Sequence, residues 1–158
     1  MTEHASLDQA AETVASLRGA VLKSVSGAWY FTNDEPDERD TLAVHLYFEG
    51  GGVLRLDPGA DGECLRVASD EQTYPDPRKG EEGWYQVSLE NRTPWSDVVG
   101  SALTNFELLP VVSGVTAVLL AFASEGFVCF WNYCDVGTIL RNERPPTDET
   151  DGAVWICP

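Results

Sequence analysis

The sequence predicts an α+β fold, mostly antiparallel sheet, built from two repeated helix-strand-hairpin units with the N-terminal helix packed on the sheet. Three observations predict it. One capped amphipathic segment opens the chain. A series of short apolar segments follows, separated by Gly, Pro, Asp and Asn. The order of those segments then recurs in the second half.

Residues 6–17 read as the helix. Ser6 caps it, and Gln9 completes a capping box. Leu7, Ala10, Ala11, Val14 and Leu17 share one face, and Gly19 supplies the stop. Strands are expected at 20–26 and 28–31. Residues 33–40 carry Asp34, Glu35, Asp37, Glu38 and Asp40 around Pro36 and are expected to loop. Over 41–48 the residues alternate, with Leu42, Val44, Leu46 and Phe48 on one face and Ala43, His45 and Tyr47 on the other. Glu49-Gly50-Gly51-Gly52 turns the chain into a second arm over 53–57. A short strand at 64–67 precedes an exposed acidic connection over 69–83. Residues 84–89 alternate as a strand, with Trp84, Gln86 and Ser88 opposite Tyr85, Val87 and Leu89. Thr93-Pro94 predicts a short helix to about residue 99. Strands follow at 103–109, 115–122 and 127–131, with a shorter one at 138–141, and 154–156 is a last short strand or an anchored tail.

The repeat runs over about 17–67 and 98–141 within a single domain, 1–158. Gly19 to Leu22 matches Gly100 to Leu103. Phe48, Gly52 and Asp61 match Phe122, Gly126 and Asp135 at one offset. The segment 33–40 is the part that the second copy lacks. Leu42, Val44, Leu46, Phe48, Val118, Leu120 and Phe122 are expected to form one buried cluster.

The chain has 158 residues, a length suited to one domain. Its 26 acidic and 10 basic residues give a net charge of −16, which argues against direct nucleic-acid or anionic-membrane binding. The start Met1-Thr2-Glu3-His4-Ala5 lacks the features of a signal peptide, and no apolar stretch approaches a membrane span, so the expectation is cytoplasmic. Cys64, Cys129, Cys134 and Cys157 form no C-x-x-C pair and are expected to be thiols in that setting. In an oxidising one, Cys129 or Cys134 could pair with Cys64.

No nucleophile-base, zinc-helix or phosphate-loop motif is present, and no catalytic residue, metal or cofactor is expected. Glu49 to Gly52 is followed by neither a helix nor a Lys, so it reads as a hairpin turn. His45 is expected to be a half-exposed strand histidine. Asp57, Asp61 and Glu63 could offer calcium three ligands, without EF-hand spacing. Acidity is the functional signal. Asp34, Glu35, Asp37, Glu38 and Asp40, with Glu81 and Glu82, flank the aromatic residues Trp29, Tyr30, Tyr74, Trp84 and Tyr85. Charge would steer a basic protein partner, and the aromatic rings would anchor it.

A small, acidic, Trp-rich α+β chain without catalytic motifs resembles the immunity proteins of bacterial polymorphic toxin systems. Its Gly19 to Leu22, Leu46 to Leu56, Gly100 to Leu103 and Leu120 to Phe122 segments are also similar to bacterial families sharing a glycine-strand-turn-strand module. The resemblance implies a stoichiometric inhibitor that blocks a toxin's active site. It transfers no functional residue. Two other readings stand beside it. One is a DNA mimic, which the clustering of carboxylates in loops disfavours. The other is a small-molecule or enzymatic domain with a pocket between the repeats, lined by Trp131, Tyr133 and Trp84.

Overall fold

The computed structural model describes residues 6–58, 64–111, 114–124, 126–133, 136–146 and 153–158. The side chains of Arg39, Asp40 and Val136 fall outside that description. Expectations for Asp61, Glu63, Cys134, Asp135 and the Asp40 side chain therefore lie outside the described residues.

Helix α1 spans Leu7–Ala15. The capping box is in place: Gln9 N–H donates to Ser6 Oγ at 3.2 Å, and Ser6 N–H donates to Gln9 Oε1 at 3.1 Å. Ala10 and Val14 are fully buried, and α1 packs against strands from both halves of the chain. Among the described residues nine strands follow: β1 Leu22–Thr32, β2 Glu35–Phe48, β3 Val53–Pro58, β4 Leu65–Ala68, β5 Gly83–Ser88, β6 Leu103–Val111, β7 Gly114–Phe122, β8 Phe127–Tyr133 and β9 Val136–Arg141. All pairings are antiparallel. The sheet runs β4-β3-β2-β9-β8-β7-β6, with β1 on β2 and β5 on β1.

The long strand β2 is where the sheet divides. Val44 to Tyr47 lie between β1 and β3, while Thr41 pairs with Trp29 and with Gly137 of β9. Beyond that joint, β3 and β4 pack on β8 and β7 without pairing to them, so the two halves face one another across the core. A second joint closes the other side through the Val21–Ala102 bridge. There the bonds come in exchanged pairs. Gly19 N–H donates to Leu103 C=O and Gly100 N–H to Leu22 C=O, both at 2.7 Å. Glu49 N–H donates to Val21 C=O and Ala123 N–H to Ala102 C=O, both at 2.9 Å. Gly19 and Gly100 adopt φ of +89° and +86°, conformations that favour glycine.

The main core cluster includes Val14, Val25, Val44, Leu46, Phe48, Leu54, Phe106, Val118, Leu120, Phe122 and Phe130. β7 is buried on both faces, which is why 115–122 reads as a continuous apolar run. Its outer side belongs to a second cluster of Leu109, Ala117, Cys129 and Trp131, covered by Ala153 and Trp155 of the C-terminal segment. Leu108 and Ile156 exchange both backbone bonds, which gives the β6 edge a partner there.

Four expectations need correction. Residues 20–31 do not form two strands; β1 is continuous through Gly27, where a Cβ would meet Leu89 Cδ1 at 2.7 Å. Residues 33–40 are not a loop. Asn33 and Asp34, with φ of 52° and 64°, make a two-residue turn, and β2 starts at Glu35. The charges and Pro36 are tolerated because this arm projects into solvent. Leu42 is only half-buried, because a bulge puts Thr41 opposite Trp29 and Ala43 opposite Ala28. The helix expected after Pro94 is a single 3-10 turn, Trp95–Asp97, so the second half lacks a counterpart to α1.

Candidate functional site

The two acidic segments that the sequence keeps some forty residues apart meet at one end of the sheet. The β1–β2 hairpin carries Asp34, Glu35, Asp37 and Glu38, all exposed. β5 lies beside β1 with Trp84 opposite Tyr30 and Gly83 opposite Phe31, so exposed Glu81 and Glu82 arrive at the hairpin tip. Asp34 Oδ1 accepts the Gly80 N–H at 2.6 Å, and Tyr30 OH donates to Glu82 Oε2 at 3.5 Å. The Tyr30 and Trp84 rings meet edge to face at 5.3 Å, and both remain partly exposed. The result is a carboxylate-rich arm with an aromatic pair at its base, tempered by Arg78 and Lys79 in the same loop.

Tyr85 does not belong to this surface. It is 5 % exposed and packs edge to face on Phe31, so its expected partner contact is withdrawn. Trp29, also 5 % exposed, is interior too; its Nε1–H donates to buried Thr41 Oγ1 at 3.1 Å. Alternation along 84–89 correctly separated Trp84 from Tyr85, but the charge around them did not tell which ring faced inward.

A second polar group lies under the connecting segment that leaves β4. His45 is 2 % exposed, not half-exposed, and its Nε2 accepts the Gln72 N–H at 2.9 Å. The connection covers His45 on the face of β2 opposite Val44 and Leu46. Beyond it, Pro75 C=O accepts the Gln86 N–H at 2.8 Å on β5. Arg55, opposite His45, donates to Asp57 at 2.8 Å, to Asp70 at 3.0 Å and to Gln72 at 3.2 Å. Arg66 takes the other Asp57 oxygen. Burial, reinforced by the Arg55 charge, pushes the His45 pKa down, while Glu71, Asp57 and Asp70 oppose it. Burial pushes Asp57 up against the pull of Arg66 and Arg55. Burial also raises Tyr74, and the Asp57 charge adds to it.

Both Asp57 oxygens and the accepting nitrogen of His45 are engaged, so the group is a clasp on the connecting segment rather than an acid–base pair. Engagement by two guanidinium groups also removes Asp57 as a ready calcium ligand. Cys64 and Cys129 are buried, Cys157 is exposed, and burial raises the Cys129 thiol to about 12.

A cavity of about 510 Å³ lies where the halves join, lined by Trp29, Glu38, Thr41, Arg92, Trp95 and Ile139 among others. It is not the pocket expected around Trp131, Tyr133 and Trp84. Trp131 and Tyr133 meet at a tilt, ring centres 4.8 Å apart, on β8, and Trp84 lies on β5. Arg92 NH1 donates to Glu38 Oε1 at 2.8 Å, and the Arg92 guanidinium lies 4.9 Å over the Trp29 ring. Among the described residues the buried Trp95 Nε1–H has no hydrogen-bond partner.

Searches against protein-family profiles, curated proteins and solved structures find no match for the chain. Among the described residues, no helix is long and apolar enough to cross a membrane.

Proposed function

We propose that the protein is a non-catalytic, acidic protein-binding module, most simply a stoichiometric inhibitor of the immunity type that binds a basic partner such as a toxin. The convergence of Asp34, Glu35, Asp37, Glu38, Glu81 and Glu82 around Tyr30 and Trp84 carries this reading. Clustered carboxylates raise the encounter rate of a cationic protein. An aromatic pair on a paired strand gives that encounter a rigid place to settle. The arm is held by the β1–β2 ladder and the Asp34–Gly80 bond, so docking need not order it first.

The two halves are best understood as a repeat of a four-stranded meander, β1–β4 and β6–β9, with β5 and the acidic arm added to the first. The exchanged bonds of Gly19 with Leu103 and Gly100 with Leu22 support this, because a self-complementary joint is what two copies of one unit form. On that reading the arm is an addition to the scaffold, the usual place for a binding function.

The test is a pull-down with the folded protein at low and at high salt. It is run in parallel with a variant carrying Asp34→Asn, Glu35→Gln, Glu81→Gln and Glu82→Gln. A basic partner retained by the wild type at low salt, and lost both at high salt and by the variant, supports the proposal. Equal capture by both proteins, or no retained basic protein, contradicts it.

A further inference from the structure

We infer that the cleft between the halves is a guanidinium-binding site that takes an arginine side chain of the basic partner, with Arg92 as its resident occupant. The inference rests on the partner-binding reading and names the chemistry of one contact within it.

The site has the parts that a guanidinium needs. A flat aromatic face comes from Trp29, fixed in place by its Nε1–H bond to Thr41 and by near-complete burial. A carboxylate comes from Glu38, at the root of the acidic arm. Arg92 shows that the two are spaced for one planar cation, at 4.9 Å from the ring and 2.8 Å from the oxygen. Lysine lacks the plane that stacks on the ring while its donors reach the carboxylate.

Arg92 is held in a way that lets it leave. Its side chain is 51 % exposed and that of Glu38 58 %, and an ion pair so exposed contributes little. Its backbone is tied down by the N–H bond to Leu89 C=O at 2.9 Å, so the side chain can swing out without moving the chain. The adjoining 510 Å³ has room for the stem of an incoming residue between Trp29, Trp95 and Ile139. The charge of the arm selects the occupant: a partner drawn in by carboxylates arrives with cationic side chains foremost.

The test uses the full chain and two small probes, Nα-acetyl-arginine amide and Nα-acetyl-lysine amide, followed by the NMR shift of the Trp29 indole N–H. In the wild type Arg92 competes at an effective concentration on the order of millimolar or above. Arg92→Ala should therefore bind the arginine probe about tenfold more tightly than the wild type. It should prefer the arginine probe over the lysine probe, and adding Glu38→Gln should cancel the gain. If Arg92→Ala proves unfolded by circular dichroism, Arg92→Gln carries the same comparison. Equal binding by wild type and variant, no preference for arginine, or no effect of Glu38→Gln would each overturn the inference. Those results would leave the salt-dependent capture untouched, because the probe assay does not use Asp34, Glu35, Glu81 or Glu82.

Discussion

The Asp34 carboxylate accepts the Gly80 N–H at 2.6 Å, so one hydrogen bond ties the acidic hairpin to the acidic loop before β5. Asp34 does this from a left-handed turn position, φ 64°, which short polar residues tolerate. Asp34→Asn keeps the acceptor and the conformation. Asp34→Gly keeps the conformation and loses the acceptor. Hydrogen exchange should find the Gly80 amide protected in the wild type and in Asp34→Asn but not in Asp34→Gly. Stability should change by less than about 1 kcal/mol in both, since the site is exposed.

Gly137 is a close approach between the halves. A Cβ there would sit 2.2 Å from the Thr41 carbonyl oxygen and 2.7 Å from Phe130 Cζ. Backbone cannot yield as a side chain can, so Gly137→Ala should cost about 3 kcal/mol or more, the upper range for overpacking. Gly126→Ala is the control: its new Cβ would meet neighbours at an ordinary 3.7 Å, and its melting temperature should barely move.

Phe48 and Leu42 separate the bulge from simple alternation. Phe48 is 2 % exposed in the core, and Phe48→Ala should cost about 3–5 kcal/mol. Half-buried Leu42 at the bulge should cost less than half of that on Leu42→Ala. Urea unfolding of the two variants decides it; equal losses would mean that the strand alternates without interruption.

The clasp at His45 predicts a pH dependence. Its folded pKa lies below 6.5, so the folded state binds the proton less readily than the unfolded chain. The stability this gives is fully present above pH 6.5 and is lost as pH falls from there through the folded value. Asp57 has the opposite sign: raised above 3.8, it favours the folded state at low pH and loses that contribution as pH rises through its folded value. Between pH 7.5 and 5.5 the His45 effect should dominate. The wild type should lose stability, and His45→Gln should give a flatter curve. The Gln72 amide, which needs a neutral imidazole as acceptor, should lose protection over the same range. Parallel curves for the two proteins would rule the clasp out.

The capped helix, the inward face of β2 from Val44 to Phe48 and the turn at Gly50-Gly51 are legible because each is a local preference that the rest of the fold leaves intact. The seven-residue cluster was legible except at Leu42, where a bulge set by pairing with β1 changed the phase. The acidic arm reads as a loop from its charge and proline, yet Asn33-Asp34 forms a two-residue hairpin turn and the solvent-facing strand beyond it tolerates both. His45 reads as half-exposed because what covers it is a connecting segment whose path depends on Arg55 and Gln72 rather than on any local pattern. The Trp29–Glu38–Arg92 contact joins β1, β2 and the stretch before Trp95, and no spacing in the sequence announces it. The convergence of Asp34 with Glu81 and Glu82 likewise depends on β5 returning to β1, a long-range pairing.

The most direct test of the account is the association rate between the protein and the basic partner it retains, measured from low to high salt. The wild type is compared with the variant neutralised at Asp34, Glu35, Glu81 and Glu82. The account predicts a wild-type rate that falls steeply with salt, and a variant rate that is slower at low salt and nearly flat, because steering by the arm has been removed. Equal rates at low salt would contradict it.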